Sequence, residues 1–106
     1  MEKSERARDA GAAELITQYI DDERDRHPSL DDPRALEFVI TKYDLAERWR
    51  TIQIKELSSR LVRAEVGRRV ATYCRDYGLD PAKDIRRATA SVLDAAPELK
   101  AAYAKS

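Results

Sequence analysis

The stretch LAERWRTIQIKELSSRLVRAEVGRRVATYCRDY, residues 45–77, decides the fold of this chain. Its apolar residues recur at helical spacing, and polar residues fill the positions between them. This pattern predicts a single continuous helix of about 33 residues, roughly 50 Å long.

The apolar residues of this predicted helix point in two directions. At 100° per residue, one face carries Leu45, Trp49, Ile52, Val62, Val66, Val70, Tyr73 and Tyr77. Ile54, Leu57 and Leu61 fall on roughly the opposite side. A second apolar face needs a second cover, so these three residues are the predicted oligomer interface. In the alternative interpretation, a kink or break near Ser58 and Ser59 turns both patches toward one core.

Composition favours one small helical domain over residues 1–106, with residues 1–3 frayed. Leu, Ile, Val and Phe supply 21 of the 106 residues, which is close to the lower edge for independent folding. The zero net charge argues against a disordered chain. Because the core is small, self-association is the expected additional source of stability. With 3 Gly and 4 Pro in a chain rich in Ala, Arg, Glu, Leu and Lys, helix is favoured over sheet.

Breaks in the helical pattern fall at proline and glycine. They lie at His27-Pro28, Asp32-Pro33, Gly78-Leu79, Asp80-Pro81 and Ala96-Pro97. A residue before proline is pushed out of the helical region, aspartate caps a helix start, and glycine suits the left-handed helix end. Another junction or bend is expected between Ile40 and Leu45. We therefore predict an all-α fold, a small bundle of four to five helices around the long central one.

The two halves of the chain also resemble each other loosely. Each contains a helix with a late tyrosine, a Leu-Asp start ending in proline, and an acidic-Leu-x-x-x-aromatic unit at 44–49 and 98–103. Such sparse matches also arise by chance in helices of this composition. The pattern is thus compatible with two duplicated helical hairpins, and its matching residues suit core and cap positions.

Charge is uneven along the chain. Residues 1–47 hold 7 basic and 13 acidic groups, and residues 48–75 hold 8 basic and 2 acidic groups. The arginines that form this basic segment include Arg60, Arg63, Arg68 and Arg69, which are candidate contacts to nucleic acid or to an acidic protein partner. Their helical angles spread around the circumference, whereas a nucleic-acid footprint is a one-sided stripe.

A structural use of the same arginines competes with both binding roles. The acidic run Asp21, Asp22, Glu23 and Asp25 on the first helix can face them, within one chain or across a dimer. Glu56 with Arg60, and Glu65 with Arg69, also have the spacing of helical ion pairs. Trp49 has two interpretations as well, burial against the first or second helix and an exposed anchor for a partner.

No motif points to catalysis, a cofactor or a metal. The one histidine, His27, precedes proline in a predicted loop, and the one cysteine, Cys74, suits a small buried position. The sequence has no glycine-rich phosphate loop and no nucleophile elbow. Because these motifs are missing, we expect that the protein is not an enzyme. The sequence also has no apolar run long enough for a membrane span, so we expect a cytoplasmic location.

Two functional hypotheses follow. The first is a non-enzymatic helical module for protein–protein interaction that works as a homo-oligomer through Ile54, Leu57 and Leu61. The second is a nucleic-acid accessory protein, such as a regulator or a packaging factor of a phage or plasmid, that uses the arginine-rich central helix.

Overall fold

Six helices build the chain in the computed structural model, which describes the backbone of residues 2–106 and the side chains of residues 11–106. They are α1 (Glu2–Arg26), α2 (Asp32–Lys42), α3 (Ala46–Thr51), α4 (Ser59–Tyr77), α5 (Pro81–Asp94) and α6 (Pro97–Lys105), with a 3-10 turn at Ile54–Glu56. No strand forms within residues 2–106. The predicted all-α class is confirmed, with six helices in place of four to five. The sequence predicts a frayed terminus over residues 1–3, but the structure places Glu2 and Lys3 in α1, and Met1 lies outside the described residues.

The single long helix predicted for residues 45–77 is wrong. The backbone is extended at Ile52, passes through the 3-10 turn, and is extended again at Leu57 and Ser58. Ser58 then caps α4, because its Oγ accepts a hydrogen bond from the backbone N–H of Leu61 at 3.2 Å. A serine in this position satisfies a helix N–H that otherwise lacks a partner. The break near the paired serines, the alternative interpretation of the pattern, is therefore the one observed.

The buried apolar residues form two cores. The first core consists of Ala13, Ile16, Ile20, Ala35, Leu36, Val39, Ile40, Trp49, Ile52, Leu61 and Ala64. The second core consists of Val62, Val66, Val70, Cys74, Ala88, Val92 and Leu99. α4 contributes to both, and Leu57 packs against both. A helix with two apolar faces does exist, but the rest of the same chain covers them both.

Helix ends follow the local sequence closely. Asp31 caps α2, one residue before the predicted Asp32, and Asp80 caps α5 as predicted. α4 ends at Gly78, whose φ of 64° is left-handed, and the N–H of Leu79 donates to the carbonyl of Cys74 at 2.8 Å. The expected junction between α2 and α3 is also present, with a φ of 54° at Asp44.

One close helix contact joins the two halves. Gly67 of α4 lies against Pro33 in the first turn of α2, and a Cβ built on this glycine would overlap the proline ring. A larger residue would push the helices apart, so glycine here permits the approach that brings α2 onto α4.

The order of helices is the same in both halves. α1–α3 and α4–α6 each contain a long helix, an aspartate-capped helix with proline in its first turn, and a short helix. Internal duplication stays a hypothesis that this order suits.

Candidate functional site

An open groove of about 1040 Å³ is walled by residues 49–57, by α4 and by α6. The 49–57 wall exists because the chain is extended between α3 and α4 instead of helical. Ile54 and Leu57 on this wall are only partly buried, as is Ala102 on α6. The groove thus offers apolar surface that the chain itself does not fully cover.

The charged residues of the groove are mostly basic. Arg50, Lys55, Arg68, Arg69 and Lys105 line it, together with the acidic residues Glu65 and Glu98. This excess of positive charge stands on a chain whose formal net charge is zero. The groove therefore favours a ligand with negative charge and some apolar surface.

Glu65 organises one end of the groove. Its carboxylate is almost completely buried, and its Oε1 accepts hydrogen bonds from the indole N–H of Trp49 at 3.1 Å and from Arg68 Nε at 2.7 Å. Its Oε2 accepts from Arg69 Nε at 2.9 Å and from Arg68 Nη2 at 3.2 Å. Arg68 also donates to Glu37 of α2 at 2.9 Å. One carboxylate thereby fixes the tryptophan and both arginines.

The charge of Glu65 is stabilised in place. Burial alone would raise its pKa, but the hydrogen bonds and positive charges of Arg68 and Arg69 outweigh burial and hold the pKa below its usual value. Glu65 is therefore ionised at neutral pH, which keeps the two arginines oriented.

The groove brings together five of the eight residues that the sequence singled out. Ile54 and Leu57, predicted for an oligomer interface, line it beside Trp49, Arg68 and Arg69, predicted as partner contacts. Trp49 is 5% exposed and belongs to the first core, so the burial interpretation is confirmed and the exposed anchor is wrong, although the residue contributes to the groove wall.

Leu61 does not belong to this surface. It is 1% exposed and lies in the first core, so it is not available to an oligomer interface. Self-association is predicted from two apolar faces that one copy cannot cover, but both faces of α4 are covered within the chain. The break before Ser59 makes this possible, because it lets the first half of the chain pack on one face of α4.

Arg60 and Arg63 also lie outside the groove. Arg60 pairs with Asp21 at 2.7 Å and with Asp32 at 2.9 Å, so the acidic part of α1 does meet the basic helix. Its expected partner Glu56 is not used in these pairs, whereas the Glu65 to Arg69 pair is present. Arg63 is exposed.

Three of the four candidate arginines are already paired within the chain. Arg60, Arg68 and Arg69 each already contact a carboxylate of the same chain. A nucleic acid would have to displace those carboxylates to reach these three arginines, whereas Arg63 is exposed. Nucleic-acid contact by the central helix stays a prediction.

Sequence reasoning missed Glu65 as the organiser and the α6 wall. The signal for Glu65 was an acidic residue in a basic segment with arginines three and four positions later. Ala101 and Ala102 gave no signal, because their role depends on α6 folding back beside α4.

The residues considered for chemistry lie elsewhere. His27 is exposed, with its ring 6.0 Å from that of Phe38, and Cys74 is buried in the second core. The side chains described, 11–106, contain no group of three or more potential metal ligands. Over the described backbone, no helix has the length and apolar content of a membrane span.

No protein-family model, curated protein or solved structure matches this chain.

Proposed function

We propose that this chain is a non-enzymatic helical module that binds an acidic, partly apolar segment of a partner protein in the groove. The observation that carries the proposal is the composition of the groove, with partly buried Ile54 and Leu57 beside five basic and two acidic side chains.

Three of the basic residues in the groove have a positive charge that is available to a ligand. Arg50, Lys55 and Lys105 form no ion pair with any other side chain that the structure describes. A carboxylate-bearing ligand would meet these groups without displacing an internal partner. Charged residues at the edge of a binding groove steer association and select partners, while its apolar residues, here Ile54 and Leu57, supply most of the affinity.

The size and chemistry of the groove favour a protein segment over a small substrate. Small-molecule pockets usually enclose about 300–1,000 Å³, and this groove is open and just above that range. Its lining includes the hydroxyls of Thr51 and Ser59 but neither histidine nor cysteine. A hydroxyl nucleophile in this groove would lack an imidazole base.

The test is a selection from a displayed library of random segments of about 14 residues on the wild-type protein. Each recovered peptide is then measured by calorimetry on two matched variants of α6. Ala101→Phe places a ring in the groove, whereas Ala104→Phe changes an exposed alanine of the same helix outside it. We expect recovered peptides rich in Asp and Glu that lose affinity by about tenfold or more with Ala101→Phe and keep it with Ala104→Phe.

A second pair of variants tests the charge. Lys55→Glu in the groove should weaken binding by several-fold, with a smaller salt dependence, and Lys83→Glu on α5 should not. Recovered peptides that bind Ala101→Phe as well as wild type would overturn the proposal. So would sedimentation showing that wild type self-associates and Ala101→Phe does not, because the groove would then hold a second copy.

A further inference from the structure

We infer that the partner segment binds as an α-helix lying along α4 and α6. This inference rests on the proposed function and adds the conformation and length of the ligand. It follows from how the two helices present their groove residues.

The α4 side of the groove is a straight stripe. Its lining residues are Ser59, Val62 and Glu65, each three residues after the last, followed by Arg68 and Arg69 at three and four residues beyond Glu65. Residues at this spacing share one helix face, and ten residues of rise make the stripe about 15 Å long.

The α6 side is a second stripe with the same periodicity. Ala101 and Ala102 lie three and four residues after Glu98, and Lys105 lies four and three residues after them. Its centre is two alanines, whose small side chains let another backbone approach closely. Two adjacent helical stripes with a low centre form the groove into which a third helix packs, at an axial distance of about 8–10 Å.

Other modes of peptide binding fit this groove poorly. Strand addition needs an open sheet edge, and residues 2–106 contain no strand. Polyproline recognition needs exposed aromatic rings, and the one aromatic residue of the lining, Trp49, is 5% exposed. An extended segment would place only about five residues along 15 Å, whereas a helix places about ten.

A helical ligand also matches the distribution of charge. Apolar residues at three- and four-residue spacing would contact Ile54, Leu57 and the alanines of α6. Acidic residues flanking that stripe would reach Lys55 on one wall and Lys105 on the other. The expected ligand is therefore an acidic amphipathic helix of about three turns.

The test uses acidic peptides recovered by the groove-dependent selection. Each is synthesised in three forms of equal charge: the parent, a form with one central proline, and a form with a side-chain staple across one helical turn. We expect the proline form to lose affinity by about tenfold or more and the stapled form to gain several-fold, because a preformed helix loses less entropy on binding. Circular dichroism should show helix gained on mixing.

The outcomes separate the two claims. If the proline form binds as tightly as its parent, and Ala101→Phe still abolishes binding, the ligand is not helical while the groove remains its site. If the selection returns no groove-dependent peptide, the proposed function and this inference both fall.

Discussion

The two cores differ in the polar contacts around them. Beside the first core, the buried carboxylate of Glu23 accepts from Lys42 at 2.7 Å and from Arg26 at 3.1 Å. Asp32 accepts from Arg60 at 2.9 Å and from Arg24 at 2.7 Å.

The second core has fewer ion pairs around it. Within the described parts of α5 and α6, the ion pair is Lys100 with Asp94 at 3.0 Å, and both side chains are exposed. Its buried residues are also smaller, being valines, an alanine and a cysteine with one leucine.

The contrast shows which half is the firmer scaffold. The buried Glu23 and the partly buried Asp32, each with several donors, fix α1, α2 and the start of α4 in one arrangement. α5 and α6 are held mainly by apolar contacts. α6, which forms one wall of the groove, belongs to the half with fewer polar contacts. A wall of this kind can adjust to a ligand while α4 stays in place.

The largest effect is expected from removing one leucine from each core. Leu61→Ala and Leu99→Ala empty fully buried positions, and each should lower the free energy of unfolding by about 2–5 kcal/mol. Native-state hydrogen exchange should then distinguish them, because Leu61→Ala loosens all helices and Leu99→Ala mainly α5 and α6. Equal acceleration throughout the chain in both variants would remove the proposed difference between the cores.

Acid should weaken the first core before the second. Hydrogen bonds from Lys42 and Arg60 hold the pKa values of Glu23 and Asp32 below their usual values, so these carboxylates are stabilised in the folded chain. Their contribution is complete above the unfolded-state pKa of about 4 and is lost as the pH falls through the folded values. Urea midpoints should stay level from about pH 7 to 5 and decline below that.

Asparagine variants locate that pH dependence. Asp32→Asn should cost about 1–2 kcal/mol at pH 7 and flatten the decline in acid, because Arg60 and Arg24 lose their charged acceptor. Asp94→Asn, at the exposed pair of the second half, should change neither quantity measurably. A decline that Asp32→Asn leaves intact would assign the acid sensitivity to other groups.

The smallest effect compares the two helix caps. Asp31 accepts from the backbone N–H of Arg34 at 3.0 Å, and Asp80 accepts from that of Ala82 at 2.9 Å. Asp31→Ala and Asp80→Ala should each cost about 1 kcal/mol in urea unfolding. Faster amide exchange after Asp80→Ala should stay within α5 and α6, and its spread into α1 would contradict the comparison.

Local chemistry explains what the sequence predicted well. The left-handed Gly78 and the capping Asp80 act on neighbouring residues, so short motifs were enough to place the end of α4 and the start of α5. The all-α class followed from composition in the same way.

Contacts between distant residues explain the features that the sequence predicted wrongly. Residues 45–77 suit a helix by periodicity, but Ile52 packs in the first core and Leu57 touches both cores, which requires extended backbone between α3 and α4. The β-branched pair Thr51 and Ile52 was a weak local signal for that break. The groove was equally hidden, because its walls meet only after α6 returns to α4.

The position of α4 between the two cores constrains the order of folding. Leu61 and Ala64 complete one core, while Val62 and Val66 begin the other. Neither core is complete before this helix forms. A nascent chain that ends before α4 therefore contains α1–α3 without the α4 residues that complete their core. Fragments severed at residue 58 should for the same reason be poor folding units, despite the similar helix order of the halves.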